Sequence, residues 1–256
     1  MDNTIIKIGI FEIRWYSFLI LLAFMIGFFI IYKQKDKIGL SKKEISDMLF
    51  YLIIFSLLGA RIYYVLFNLN YYLNYPLDIF KIWEGGLAIH GGIIAGIIYI
   101  YYFSRQKKIE VLKITDIIVL ALPFGQAIGR WGNFFNQEAY GSITSYTHLK
   151  AIHVPNFIIE GMKINNQYYH PTFLYESLWC FFIFFVIFTI YLLKIKKRGL
   201  CTSIYLIMYG IERLLIESMR QDSLMFFNIR VAQVISIFMI TVGIIILVFN
   251  WRREYD

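Results

Sequence analysis

The sequence predicts an all-α, polytopic membrane protein with seven transmembrane helices, an outward-facing N-terminus and a small outer cap between spans 4 and 5. Three observations predict it. Of 256 residues, 59% are hydrophobic and only 16% are charged, a balance that suits lipid as the surrounding solvent better than water. Seven apolar runs, at about 15–32, 46–67, 87–104, 114–129, 173–193, 200–218 and 231–250, are each long enough or nearly long enough to cross the hydrocarbon as a helix. Lysine and arginine collect after alternate runs, which sets the sidedness of the chain. No stretch shows the apolar alternation of a barrel strand.

The elements follow in order. Met1 to Arg14 lacks the basic leader, short apolar core and small-residue cleavage site of a signal peptide, so span 1 should remain as an anchor. Lys33, Lys35, Lys37, Lys42 and Lys43 follow span 1, and Arg105, Lys107, Lys108 and Lys113 follow span 3. Lys194, Lys196, Lys197 and Arg198 follow span 5, and Arg252 and Arg253 follow span 7. Every odd span therefore ends in the cytoplasm, as does the C-terminus. The +8 net charge is mostly this collar, and no basic face with interleaved aromatics lies outside it, which argues against a nucleic-acid partner. The longest outward loop, about 131–171, is polar and holds three of the four histidines. No repeat, low-complexity tract or linker divides the chain. Residues 1–256 are expected to form one seven-helix membrane domain carrying a cap at about 131–171.

Counting about 1.5 Å of rise per residue from the cytoplasmic end of each span places Arg61, His90, Arg130, Glu176, Arg213 and Tyr16 between roughly 21 and 27 Å in. The hydrocarbon is about 30 Å thick. Six spans thus put a polar group in one layer of the outer half, where such groups are costly unless they bind something.

Each group also has a plainer reading. Arg61 or Arg130 taken singly reads as a snorkelling anchor, and His90, between Ile89 and Gly91, as a helix-packing hydrogen bonder. Gly92 and Gly96 have the small-xxx-small spacing of close helix packing. Tyr209, Arg213 and Glu217 are four apart and share a helix face, with Arg220 one turn further. An Arg213–Glu217 ion pair would make the arginine tolerable in lipid and would also orient it toward an anion. Glu212 faces elsewhere, and its role is open.

Two arginines and a histidine in a water-poor layer point to a phosphate-bearing lipid, since guanidinium groups grip phosphate oxygens in bidentate fashion and do so more strongly at low dielectric. Transfer chemistry on such a lipid needs the leaving phosphate neutralised and a nucleophile activated. His90 is the only histidine at the right depth to serve as base.

Four segments together resemble the motifs of the bacterial phosphatidylglycerol:prolipoprotein diacylglyceryl transferases. They are His90-Gly91-Gly92, the Gly129–Gly141 stretch, His170-Pro171-Thr172-Phe173-Leu174-Tyr175-Glu176, and Tyr209-Gly210-Ile211-Glu212-Arg213 with Glu217 and Arg220. The likeness runs along almost the whole chain in the family's order. It implies transfer of the diacylglyceryl group of phosphatidylglycerol to the thiol of the lipobox cysteine in a prolipoprotein signal peptide, with release of glycerol phosphate, at the bacterial cell membrane. It further implies that His90, or else the positive field of the arginines, activates the thiol, that Arg130 and Arg213 bind the phosphate, and that Asn133, Asn136, Glu138 and Gly141 position the head group. Tyr209 and Glu217 would support Arg213, Arg220 would join the substrate-binding set, and Tyr16, Tyr175, Glu176 and Arg61 would assist.

Other chemistries fit less well. No Gly-x-Ser-x-Gly elbow or His-Glu-x-x-His motif is present, a single deep histidine is a poor metal site, and no cofactor is expected. His148 and His153 read as surface or structural residues. Cys180 and Cys201 differ in depth by roughly 18 Å on the helical rise, too far for a disulfide. The runner-up, a transporter of an anionic or phosphate-bearing substrate, predicts inverted repeats and broken helices in matching halves, and the sequence has no such symmetry. A purely structural scaffold leaves the shared polar depth unexplained.

Overall fold

All seven apolar runs are helical in the computed structural model, which describes residues 4–8, 11–34, 37–195, 197–220, 225–227 and 229–250. Lys35, Lys196, Arg252 and Arg253, used above to orient the spans, lie outside the described residues. The first run is α1 (Trp15–Tyr32) and the second α2 (Lys42–Phe67), whose start is fixed by a capping box between Ser41 and Glu44. A short helix α3 (Leu69–Asn74) and two 3-10 turns lead to α4 (Ile89–Lys107). The last three runs are α9 (Thr172–Leu192), α10 (Leu200–Met219) and α11 (Val231–Asn250).

The fourth run departs from a single straight helix. It is α5 (Val111–Ile118) followed by α6 (Leu122–Asn136), bent by 43°. Pro123 sits in the first turn of α6, where a missing N–H costs nothing but an unbroken helix from α5 would lose a bond. The depth of Arg130 therefore cannot be counted along one axis. Short strands also appear that apolar runs do not announce. They are the hairpin β1 (Thr4–Ile8) with β2 (Phe11–Arg14), the sheet β3 (Ile143–Thr144), β5 (Gln167–Tyr169) and β4 (Lys163–Ile164) in that spatial order, and the hairpin β6 (Met225–Phe226) with β7 (Ile229–Arg230).

Four of the described helices, α1, α2, α9 and α11, are long and apolar enough to cross a membrane alone, and the bent α5–α6 pair makes a fifth. Their outward side chains are large and apolar, with Met25 60% and Phe238 68% exposed. Such surfaces have lipid rather than water as their natural neighbour. The chain is a mainly helical, multi-pass membrane protein.

The chain divides into two compact units, Tyr32–Ile114 and Met1–Ile31 with Thr115–Asp256. In the first, α2 and α4 pack at backbone contact. A Cβ at Gly91 would lie 2.3 Å from both the Gly59 carbonyl oxygen and the Tyr63 Cβ, and one at Gly59 would lie 2.3 Å from the Ala95 Cβ. Gly92 and Gly96 face Ser56 in the same seam, which accounts for their spacing. The Ala88 N–H also bonds the Ala60 carbonyl at 3.0 Å, pinning the start of α4 to α2. A Gly91→Ala substitution should force the two helices apart at an overpacking cost of about 1–3 kcal/mol, read as a lowered unfolding midpoint in detergent; an unchanged midpoint would show the seam to be looser than this.

In the second unit α6 packs on α9, α9 on α10, and α10 on α11. Gly210 and Gly243 allow the last contact, each lying against the other helix's backbone. Asp116 holds the start of α10, accepting from the Gly199 and Thr202 N–H groups at 2.8 Å each and from the Thr202 hydroxyl at 2.7 Å, which satisfies donors that a helix N-terminus otherwise leaves open. Between α6 and α9, the three-stranded sheet and helices α7 (Tyr146–Ala151) and α8 (Asn156–Gly161) enclose a core of Leu149, Val154, Ile158, Ile159, Met162 and Tyr169, packed on Phe134 and Phe173. The loop at about 131–171 is thus a folded layer rather than a strand of polar chain.

Candidate active site

The centre of the second unit is a network of two arginines and two carboxylates drawn from three helices. Glu176, on α9 and 1% exposed, reaches Arg130 of α6 through Oε2, 2.5 Å from Nε, in an ion contact rather than an aligned hydrogen bond. Its Oε1 accepts from Arg213 Nη1 of α10 at 3.1 Å. Arg213 Nη2 then donates to Glu217 Oε2, one turn along the same helix, at 2.7 Å. Arg130 Nη2 donates to the Tyr209 hydroxyl at 3.3 Å. One carboxylate therefore bridges both arginines, and the Arg213–Glu217 pair expected from spacing alone is present.

Neither arginine is used up. Arg130 commits Nε and Nη2, and Arg213 commits Nη1 and Nη2. Arg130 Nη1 and Arg213 Nε have no partner among the described residues, and N–H donors at these positions remain for an anion.

Around Arg130 the Gly129–Gly141 segment is mostly the end of α6. That helix closes with Gln137 in the left-handed region (φ 52°), the Glu138 N–H returning to the Asn133 carbonyl and the Gln137 N–H to that of Phe134. This closure folds the Glu138 carboxylate back so that it accepts from Asn133 Nδ2 at 3.0 Å and Asn136 Nδ2 at 3.3 Å. Asn133, Asn136 and Glu138 form one cluster as a result. Gly132 faces α1, where a Cβ would stand 2.4 Å from the Tyr16 ring, so Tyr16 is seated against α6 and Glu138 is a charge that it feels. Gly125 and Gly129 face open space instead.

The end of the segment is stitched to the His170–Glu176 motif. The Gly141 N–H donates to the His170 carbonyl and the His170 N–H to that of Ser142, each at 3.0 Å, while the Thr172 hydroxyl bonds the Ala139 carbonyl. Gly141 also bridges to the Arg220 backbone at the end of α10, and a Cβ on it would meet His170 at 2.9 Å. The His170 ring shares a hydrogen bond with the Tyr175 hydroxyl at 3.2 Å and packs edge-on against His148. Partial burial and the neighbouring His148 hold His170 below the ordinary histidine range, which favours its neutral form. Gly141, Arg220, His170 and Tyr175 thus fix the junction through which α6, α9 and α10 hold their charged ends in register.

His90 and Arg61 belong to the other unit. His90 stands in the first turn of α4, half-buried, with its ring 6.3 Å from that of Tyr63 and no hydrogen-bond partner among the described residues. Arg61 is buried and gives its N–H groups to the carbonyls of Ile79, Gly85, Gly86, Asp78 and Lys81. It organises the loop between α2 and α4, beside a cavity of about 350 Å³ that also borders Tyr64, Tyr71 and the Asp78–Lys81 ion pair. No group of three or more His, Cys, Asp or Glu suited to a metal occurs among the described residues. Cys180 and Cys201 are not joined in a disulfide, and Cys180 is fully buried.

The pattern of the prolipoprotein diacylglyceryl transferase family matches residues 3–249. The chain belongs to that family. Relatives named phosphatidylglycerol-prolipoprotein diacylglyceryl transferase from Staphylococcus aureus strains MSSA476, MW2 and Newman are each 43% identical over 257 residues, covering all of this chain and 91% of the relative. In this member of the transferase family, the Tyr16–Gly132 seat, the Asp116 lock and the isolation of Glu212 are not legible in the sequence. The first two depend on which helices are neighbours, which no single-chain pattern reveals. Glu212 was visible as a charge beside Arg213, but its surroundings were not.

Proposed function

We propose that this chain transfers the diacylglyceryl group of phosphatidylglycerol to the thiol of a lipobox cysteine in prolipoprotein signal peptides, forming a thioether and releasing glycerol phosphate. The observation that carries this reading is the Arg130–Glu176–Arg213 bridge with donors left over, inside a member of the diacylglyceryl transferase family. The sulfur attacks the glycerol carbon and the carbon–oxygen bond to phosphate breaks. Arg130 and Arg213 bind the phosphate and stabilise the charge that gathers on it as the bond breaks. Glu217 keeps Arg213 in place, Tyr209 accepts from Arg130, and Arg220 ties the end of α10 to Gly141, while the Asn133–Asn136–Glu138 cluster, with Tyr16, Tyr175 and Gly141 around it, positions the head group. His90, unpartnered at the start of α4, takes the proton of the thiol, whose ordinary pKa of about 8.5 leaves little thiolate at neutral pH. Arg61 assists by ordering its loop.

The membrane arrangement proposed with this function has seven crossings, the α5–α6 pair counting as one, with the N-terminus outside and the C-terminus cytoplasmic in the bacterial cell membrane. The helical state of all seven apolar runs and the lysine and arginine pattern support it. The layer at about 131–171 is its outer cap, and the chain acts as one membrane domain.

A transfer assay tests the function. Purified protein in detergent is supplied with labelled phosphatidylglycerol and a lipobox peptide, beside a peptide with serine in place of the cysteine and a His90→Gln protein. Label is expected on the cysteine peptide alone, with the rate reduced about 10²-fold or more in His90→Gln, the usual loss on removing a general base. Absence of transfer from folded, lipid-supplied protein would reject the enzyme reading in favour of an anion transporter.

A further inference from the structure

Glu212 stands apart from the other carboxylates of the second unit. It is 2% exposed, and neither of its oxygens has a hydrogen-bond or ion-pair partner among the described residues. It nevertheless lies in the field of the arginine network. The charges that act on it are those of Glu176 and Arg130 from α9 and α6, Arg213 on its own helix, and Arg220 just past that helix's end. Cys180 of α9 and Tyr205 and Tyr209 of α10 are its other titratable neighbours. The remaining helix packed on α10, α11, brings no charged or titratable side chain.

A buried carboxylate with no protein donor is costly, and here it would be a third anion beside Glu176 and Glu217. The neutral acid is tolerated, and it holds one O–H to donate. No acceptor among the described residues takes that hydrogen bond. The proposed transfer creates such an acceptor. When the carbon–oxygen bond breaks, its electron pair stays on an oxygen of a phosphate that already carries one negative charge, and a dianion in a water-poor layer is costly.

We propose that Glu212 is the general acid of the reaction, delivering its proton to the departing phosphate oxygen. The sulfur–carbon bond forms, the carbon–oxygen bond breaks, and the Glu212 proton moves to the oxygen, so that glycerol phosphate leaves with a single negative charge. The proton given up by the thiol replaces it over the cycle, and no other reactant is consumed. This step rests on the transfer reaction proposed above.

The test is single-turnover transfer from labelled phosphatidylglycerol to the lipobox peptide between pH 6 and 9, with wild-type protein and Glu212→Gln. Glutamine keeps the shape and a donor but has no proton to give. The variant is expected to unfold at the wild-type temperature and to bind phosphatidylglycerol as well as wild type, while its rate falls about 10²-fold. Wild type should slow at the alkaline end as Glu212 loses its proton, and the variant should lack that decline. A variant within about twofold of wild type, or a slow variant that keeps the alkaline decline, would overturn the assignment. If Glu212→Gln does not fold, Glu212→Asp retains an acid on a shorter arm and should be slower with the alkaline decline intact; an aspartate protein without the decline would equally refute it. Failure of wild-type protein to transfer at all would reject the reaction itself, a result distinct from any of these.

Discussion

Arg130→Ala should reduce diacylglyceryl transfer by about 10³-fold while leaving the protein able to fold, the upper end of what removing one preorganised transition-state donor costs. Three losses combine at this position. The substrate phosphate loses the guanidinium whose Nη1 is unclaimed among the described residues, Tyr209 loses its donor, and Glu176 is left with Arg213 alone. Arg130→Lys should recover little of the rate, because a single ammonium cannot meet Glu176, Tyr209 and a phosphate from one planar fork. The split between binding and rate identifies the role. A group that acts as phosphate charge develops should lower the turnover rate more than it weakens phosphatidylglycerol binding. An alanine variant with normal turnover and only weaker lipid binding would reduce Arg130 to a head-group contact.

The second large effect is expected on stability. Glu176→Ala should destabilise the protein by about 3–5 kcal/mol, the range for removing one partner from a buried ion pair, because a single deletion strands two half-buried arginines at once. Glu176→Gln keeps the volume and one carbonyl acceptor, and its penalty should be smaller. Chemical unfolding in detergent measures both. The double variant Glu176→Ala with Arg213→Ala should be less destabilised than the sum of its singles, since the two residues share one interaction; strict additivity would show that Arg213 is held mainly by Glu217.

Much of this arrangement was legible in the sequence for simple reasons. Apolar runs the length of a bilayer have few alternatives to helix, and residues four apart must share a face, so α1, α2, α9 and α11 and the Arg213–Glu217 pair follow directly. The cluster of Asn133, Asn136 and Glu138 also lay within one short segment. What stayed hidden depends on three-dimensional neighbours or on backbone detail. The bend ahead of Pro123 splits a run whose hydropathy is continuous. Glu176 was placed at the right depth, yet its position between Arg130 and Arg213 requires knowing that α9 stands against both α6 and α10. Arg61 reads as an intramembrane charge but spends itself on five carbonyls of a loop that follows it in the chain. The short strands of the cap are too brief for any alternation to register.

Glu176 has a consequence for which anions the site admits. Its carboxylate is a resident occupant, and any visitor must either displace it or settle for the N–H groups it leaves open on Arg130 and Arg213. A small ion with one contact gains too little to compete. A phosphodiester, presenting several oxygens and anchored by two acyl chains in the surrounding lipid, holds an advantage that a free anion lacks. If the arginines hold the phosphate as proposed, the shared carboxylate would act as a tethered competitor, aligning both guanidinium groups while disfavouring ions dissolved in the water outside.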